Sequence, residues 1–251
     1  MCPAVRNSAD AATSVVDRSA ALLAAFGPDD HALGIAELSR RAGLPKSTTH
    51  RLAAALVHAG LLERNGVRLQ LGLRLFELGE LVPRRRGLRA AALPFMEDLR
   101  EATRNTIHLA VLEGTEVVYL EILPGPDGPP VPSRVGGRLP AHATAVGKAM
   151  LACLPPEQAE EILRGPLRPL TSRTLTAPGA IRRQLARIRA DGVAYDREES
   201  GPGVVCAAGP IRRPDGTAVA ALSICGRSGR TKLDRIGPAV HTTALALARR
   251  R

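Results

Sequence analysis

Between Arg40 and Arg68 the chain gathers six lysines and arginines against a single acid, Glu63. Inside this stretch Ser47, His50, Arg51, Ala54 and His58 recur at i, i+3, i+4, i+7 and i+11, the spacing of one helix face. That face offers hydroxyl, imidazole and guanidinium groups and no large apolar side chain. Lys46, Ser47 and Thr48 fall in the first turn, where free backbone N–H groups already favour phosphate. Arg51 follows one turn later, and its planar fork suits the paired acceptors of a guanine edge. Arg64 and Arg68 flank a turn further on. These residue types break no bond. They hold a polyanion, through phosphate contacts that position and a base contact that specifies. The competing reading is an ordinary solvated face on an amphipathic helix.

The elements around these residues favour the first reading. Ile35, Leu38 and Ala42 form one apolar stripe on a short helix, and Gly43 supplies the left-handed residue that ends it. Leu44 turns inward, and Pro45 suits the first turn of the next helix. On that helix Thr48, Leu52, Ala55, Leu56 and Ala59 form the expected packing side, and Gly60 stops it. Asn65-Gly66 between two apolar-rich runs signals a hairpin. Helix, turn, helix and hairpin in this order describe a winged helix-turn-helix, which lays its second helix in the major groove of duplex DNA. Ser14 and Asp17 form a capping box that opens a preceding helix.

Composition limits the alternatives. The 251 residues are 45% apolar but only 2% aromatic, with no Trp, so the cores rest on Leu, Val, Ile and Ala. Stacking platforms for single-stranded nucleic acid are missing. The net charge of +11 is not itself evidence for DNA, because residues 1–80 hold 9 basic and 8 acidic groups and residues 81–251 hold 26 and 16. The patch at 40–68 carries the argument instead. Cys2, Cys153, Cys206 and Cys225 show no metal-binding spacing and read as small buried apolar residues in a reducing, intracellular setting. The N-terminus has no signal-like apolar core, and no run approaches the ~18 apolar residues of a membrane span, so a cytoplasmic protein is expected.

Past the hairpin, residues 71–82 read as a linker helix with Leu71, Leu75 and Leu78 on one side, and Pro83 with Arg84–Arg86 reads as a break. Leu88, Ala92, Phe95, Met96 and Leu99 open a second domain. Strands are expected at 106–112, 117–122, 192–196, 203–211 and 217–225, a strand end or loop feeding a helix at 142–153, and helices at 157–163, 179–190 and 232–249. The fold class is α+β: an N-terminal winged helix-turn-helix, a linker helix, and a C-terminal antiparallel sheet with helices around it. The expected divisions are a flexible tail at 1–13, a DNA-binding domain at 14–71, a linker at 72–86 and an effector-binding and oligomerisation domain at 87–251. No P-loop occurs and Gly201-Pro202-Gly203 opens no helix, so no cofactor is expected.

Several motifs in order resemble the IclR-type transcriptional regulators: LPKSTTHRL at 44–52, LGLRLFELG at 71–79, IHLAVLEGTEVVYLE at 107–121, SRVGGRLPAHATAVGKAMLA at 133–152, GVAYDREES at 192–200, GVVCAAGPI at 203–211 and AALSICG at 220–226. The resemblance implies a GAF-like C-terminal sheet, a homodimer or homotetramer on a pseudo-palindromic operator, and a small effector, often a carboxylate or an aromatic acid. It implies a pocket in which Ala145 and Val146 offer N–H groups to a carboxylate. Asp196 would accept from an effector hydroxyl, and Cys206 and Ser223 would line the cavity. Cys225 stands where the family often has serine, exchanging a strong donor for a weak one. The structural alternatives are an Asp196 paired with arginine, a Cys206 that only packs, and a His142 that serves as a structural hydrogen-bonding residue rather than a metal ligand.

A metabolite-converting enzyme is the second reading, with Cys206, His142 and Asp196 as its conceivable reacting set and the N-terminal unit as a docking module. Neither a GxSxG elbow nor HExxH supports it. A third reading keeps DNA binding and makes the C-terminal domain a dimerisation module alone.

Overall fold

The computed structural model describes residues 14–250, with the side chains of 83–86 excepted. Two compact units divide at Arg86 and Gly87. The tail assigned to 1–13 lies outside the described residues.

In the first unit, α1 (Val15–Ala24) opens on the expected capping box: the Ser14 hydroxyl accepts from the Asp17 N–H, and Asp17 reaches back to Ser14. Helix α2 (Ile35–Ala42) ends at Gly43 with φ +65°, and the Leu44 N–H then donates to the Ser39 carbonyl. The backbone at Gly43 is left-handed, which glycine adopts without penalty. Helix α3 (Lys46–His58) starts after Pro45, which is the N-cap rather than a first-turn residue. A hairpin of β1 (Leu62–Asn65) and β2 (Arg68–Leu71) follows. Its two-residue turn is Gly66-Val67, one place later than Asn65-Gly66, because Asn65 pairs with Arg68. Leu33 bridges Leu69 and adds a third short edge. The core is Leu22, Leu33, Leu38, Leu52, Ala53, Leu56, Leu62 and Leu69.

Two expectations for this unit need correction. The packing side of α3 is Thr49, Leu52, Ala53 and Leu56, while Ala55 and Ala59 are exposed and Thr48 is half-buried. The inward stripe therefore sits one residue further round. Helix α4 (Leu73–Glu80) buries none of its residues within the unit, and Leu71 belongs to β2. The leucine stripe is real, but nothing within its own unit covers it.

The predicted break at Pro83 is also absent. Helix α5 (Pro83–Thr103) continues through the Arg84–Arg86 backbone, with Pro83 at its start, where proline costs no hydrogen bond. The second unit is built on a sheet of β3 (Thr106–Glu113), β4 (Glu116–Leu123), β5 (Arg138–Pro140), β6 (Ala194–Arg197), β7 (Val204–Arg212) and β8 (Ala218–Arg227). The order is β5-β4-β3-β8-β7-β6, with every neighbouring pair antiparallel.

Strand alternation splits this sheet into two faces. Ile107, Leu109, Ala207, Leu222 and Ile224 meet α5 residues Leu88, Ala92 and Met96 and the α9 helix (Leu233–Arg249). The opposite face carries Ala110, Tyr119, Cys206, Ala208 and Cys225. It packs on α6 (Ala145–Leu151), α7 (Pro156–Arg164) and α8 (Pro178–Asp191). The short 3-10 turn at Ala141–Ala143 abuts α6 so closely that a Cβ on Gly147 would lie 2.2 Å from the Ala141 carbonyl oxygen. Only glycine lets α6 sit this close to that turn.

Candidate functional site

On the first unit, Lys46, Ser47, His50, Arg51, Ala54 and His58 are all exposed along one side of α3. Arg64 and Arg68 are exposed on the two strands of the hairpin. Thr48 stands half-buried at the edge of the same surface. The six basic groups divide sharply. Arg40 and Arg41 are held by Glu37, and Arg41 also pairs with Asp30. Those guanidinium groups hold the Glu37 carboxyl down to about 2. Lys46, Arg51, Arg64 and Arg68 have no ion-pair partner among the described residues. Glu63, the lone acid nearby, accepts from the Leu73 N–H at 3.0 Å and from Gln70 at 3.2 Å. The exposed patch therefore keeps its positive charge unpaired, with α3 and the hairpin carrying it together.

In the second unit the residues expected to form a pocket come together. Ala145, Val146, Asp196, Cys206, Ser223 and Cys225 all line one cavity of about 20 Å3. That holds roughly one water, since ~10–15 Å3 is needed for each. His108, Tyr119, Thr144 and Ser200 complete its inner wall, while exposed Pro132 and half-buried Val131 and Ser133 form the outer wall.

Geometry gives these groups different jobs. The N–H groups of Ala145 and Val146 open α6, where no preceding turn can accept from them. The Thr144 hydroxyl caps the turn through the Gly147 N–H at 3.1 Å. Asp196 Oδ1 accepts from the Glu199 N–H at 2.7 Å and the Ser200 N–H at 3.3 Å, while Oδ2 is buried without a partner. Burial lifts the Asp196 carboxyl to about 6, against the pull of the Ser200 and Glu199 hydrogen bonds and the Lys148 charge. No arginine pairs with it among the described residues.

His108 faces the same space. Its Nε2 lies 2.8 Å from the Ser133 hydroxyl, and its Nδ1 is buried without a partner. Desolvation pushes it down to about 4, so the ring is neutral at pH 7 and carries one donor and one acceptor nitrogen. Tyr119 leans on it with ring centroids 5.2 Å apart. Burial and the Asp196 charge drive the tyrosine hydroxyl upward, which keeps it a donor. Behind the cavity, fully buried Lys148 donates to Glu199 at 2.5 Å and to Gln184 at 3.1 Å, fixing the segment that holds Asp196.

His108, Tyr119 and Ser133 were not singled out from sequence, and neither was the Lys148–Glu199 pair. The available signal was the alternation in β3, where Thr106 and His108 place polar groups on one face of an otherwise apolar strand. The cysteines correct the sequence reading. Cys206 and Cys225 are joined by a disulfide, so neither is a free packing residue and Cys225 is not a thiol donor in this state. Directly opposed positions on β7 and β8 bring them together, and spacing along the chain could not reveal that register. Cys153 is half-exposed rather than buried, and its sulfur accepts from Arg212 at 3.2 Å. The conceivable enzyme set is not assembled, since Cys206 is bonded to Cys225 and the His142 ring instead meets the Arg168 carbonyl at 3.2 Å. Among the described residues no cluster of His, Cys, Asp and Glu could hold a metal.

Comparison with known proteins agrees with this arrangement. The IclR helix-turn-helix domain matches residues 15–66, and the bacterial transcriptional regulator IclR C-terminal domain matches residues 82–249. The chain is 33% identical over 240 residues to the HTH-type transcriptional regulator XynR of Escherichia coli, covering 93% of this chain and 95% of that one. It is 32% identical over 224 residues to the transcriptional repressor IclR of Escherichia coli, covering 87% and 82%. A crystal structure of an IclR homologue from Microbacterium hydrocarbonoxydans, complexed with 4-hydroxybenzoate, superposes with a TM-score of 0.87 at 34% identity, covering 94% of this chain and 98% of that one. The chain therefore belongs to the IclR family of bacterial transcriptional regulators, with a DNA-binding helix-turn-helix unit and an effector-binding C-terminal domain, and the members of that family are regulators rather than enzymes.

Proposed function

We propose that this chain binds a pseudo-palindromic operator as a homodimer and releases or tightens on it when a small aromatic or aliphatic carboxylate enters the C-terminal cavity. Residues 14–71 act as the DNA-binding domain, 72–86 as the linker and 87–251 as the effector and oligomerisation domain. On DNA, Lys46, Ser47, Thr48 and His50 meet phosphate at the start of α3, Arg51 reaches a base edge, and Arg64 and Arg68 meet the backbone from the wing. As a protein that works on duplex DNA, it acts in the cytoplasm. No helix among the described residues is long and apolar enough to cross a membrane.

A second copy is the natural cover for α4. Leu73 and Phe76 are each 65% exposed, and Leu78 and Leu81 are exposed beside them. A bare apolar helix of this kind marks an association surface. A two-fold pair of recognition helices matches a two-fold operator.

The observation that carries the effector reading is the pairing, in one cavity, of two buried side chains with unused polar atoms: His108 Nδ1 and Asp196 Oδ2. A folded protein leaves such atoms bare at a cost of about 1–3 kcal/mol each. A ligand with a hydroxyl at one end and a carboxylate at the other satisfies Asp196 with the first and the Ala145 and Val146 N–H groups with the second. The relative crystallised with 4-hydroxybenzoate makes that compound the first probe. A ring enters only if the outer wall at 131–133 moves outward, which couples occupancy to a change of shape.

The test is calorimetric titration of the full-length protein with 4-hydroxybenzoate and with non-aromatic hydroxy acids. In parallel, fluorescence anisotropy follows binding to duplex DNA from beside its own gene. Saturable heat together with a ligand-dependent shift in the duplex Kd is the expected result. If no small carboxylate gives heat while duplex binding is normal, the cavity is not an effector site and the C-terminal domain serves assembly alone.

A further inference from the structure

Cys206 and Cys225 face each other across β7 and β8 with Cα atoms 4.3 Å apart, and the structure joins them. A separation this short marks a non-hydrogen-bonded antiparallel pair, where side chains stand nearest. Both residues are buried, and both line the effector cavity. Asp196 is in register with Cys206 on one side, and the Ser223 hydroxyl lies 3.9 Å from the Cys225 sulfur on the other.

A permanent staple explains this bond poorly. Strands β7 and β8 are already paired from Val204↔Arg227 to Arg212↔Ala218, so the link organises nothing that the ladder leaves loose. A protein that works on DNA also sits among small thiols that keep cysteines reduced, and disulfides in that setting are usually transient and sensing. The place of the bond points the same way. It forms part of the wall of a cavity whose lining also includes the exposed Pro132.

We propose that Cys206 and Cys225 form a reversible dithiol–disulfide couple, oxidised by a small hydroperoxide that enters through the cavity and reduced by a low-molecular-weight thiol. In the oxidising direction one thiol, as thiolate, attacks the terminal peroxide oxygen. The O–O bond breaks, the departing oxygen takes a proton and leaves as an alcohol or water, and the attacking sulfur becomes a sulfenic acid. The second thiol attacks that sulfur and expels water as the S–S bond forms. Two thiols and one hydroperoxide thus give one disulfide, one alcohol or water, and one water, with two electrons passing from sulfur to the peroxide. In the reverse direction a small thiolate attacks one sulfur to give a mixed disulfide. A second small thiol resolves it, leaving two protein thiols and one oxidised small disulfide. Oxidation withdraws two S–H groups from the cavity wall and ties its floor together, so the cavity answers to peroxide as well as to its ligand. This inference goes beyond effector binding and does not depend on it.

The test uses the full-length protein without any effector. Samples equilibrated with excess dithiothreitol, or then treated with one equivalent of hydrogen peroxide, are quenched in acid, alkylated with N-ethylmaleimide, digested and read by mass spectrometry. Peptide mapping separates this pair from Cys2 and Cys153. The expected result is label on both Cys206 and Cys225 after dithiothreitol, joint loss of both labels with appearance of the linked peptide after peroxide, and full recovery on a second reduction. In Cys206→Ser, peroxide should leave Cys225 either labelled or trapped as a sulfenic acid, with no linked peptide from this pair. A link that survives excess dithiothreitol in the native protein would make it a static staple, and two thiols that stay labelled after peroxide would make it inert. Either result overturns the proposal.

Discussion

Replacing Asp196 with asparagine keeps the shape of the side chain and removes a charge that the fold holds at a cost. The carboxyl stands at about 6 in the folded chain against an ordinary value of 3.8. A gap of roughly two units corresponds to about 3 kcal/mol at ~1.4 kcal/mol per unit. Burial is the leading cause, and the group is 1% exposed, so little solvent screening reduces that figure. Between the two values the folded chain keeps a proton that the unfolded chain has released, so stability falls as pH rises. The favourable contribution is complete below about 3.8 and lost as pH climbs through about 6. The asparagine side chain has no such titration. The amide brings its own offset, because its N–H donors replace an oxygen that already lacks a partner, but that offset does not vary with pH. The unfolding free energy of Asp196→Asn minus that of the native chain should therefore rise by up to about 3 kcal/mol between about pH 4 and about pH 7.5. Urea titration followed by tyrosine fluorescence reads it cleanly. Both tyrosines, Tyr119 and Tyr195, lie in the second unit, and the chain has no Trp. A difference that stays flat across this range would refute the claim that a desolvated charge is stored at the cavity wall.

Three further outcomes follow from the same geometry. Arg51→Ala should keep its circular dichroism and weaken specific duplex binding about tenfold or more, the worth of a ~1–3 kcal/mol base contact, as read by anisotropy against a scrambled duplex. Arg64→Ala and Arg68→Ala should instead weaken all duplexes alike, each lowering the slope of log K against log salt by about 1, and an unchanged slope would remove the wing from the interface. Lys148→Met should destabilise the second unit by roughly 3–5 kcal/mol by stranding Glu199, while adding Glu199→Gln should restore much of the loss in urea unfolding, because a neutral pair needs no counter-charge.

The winged unit was legible because its signals are local. A capping box, a glycine that ends a helix and a hairpin turn act over three to five residues, and the structure places each within a residue of its sequence position. The errors came where local pattern meets a missing neighbour. The α4 leucines looked like a packing stripe, yet nothing within their own unit covers them, and Pro83 looked like a break because a helix start and a helix stop use the same residue. The C-terminal strands were readable from alternation. What they assemble was not, since His108, Tyr119 and Ser133 converge only through the β4-β3-β8 register and the loop before β5. Cys206 and Cys225 are 19 residues apart in sequence, and only the β7–β8 pairing makes them neighbours.

The placement of unsatisfied polar atoms separates a binding cavity from a packing defect. Among the described residues, buried side-chain atoms without a hydrogen-bond partner occur on Thr49, Arg100, His108, Asp196 and Glu199. Three of these five lie in or directly behind the cavity, within a unit whose other buried polar groups are largely engaged: Thr174 with Glu199, Thr144 with Gly147 and Lys148 with Glu199 and Gln184. Random imperfections of packing would scatter such atoms across both cores. Here they cluster with an acid raised by burial, an imidazole lowered by burial and a tyrosine held protonated, all lining one space. Near pH 7 the raised Asp196 carboxyl makes the empty fold less stable, and on the proposed reading a small polar guest that donates to it would relieve that cost. Stability withheld from the apo state returns as binding free energy, because a ligand that binds only the folded form adds its own affinity to the stability of that form.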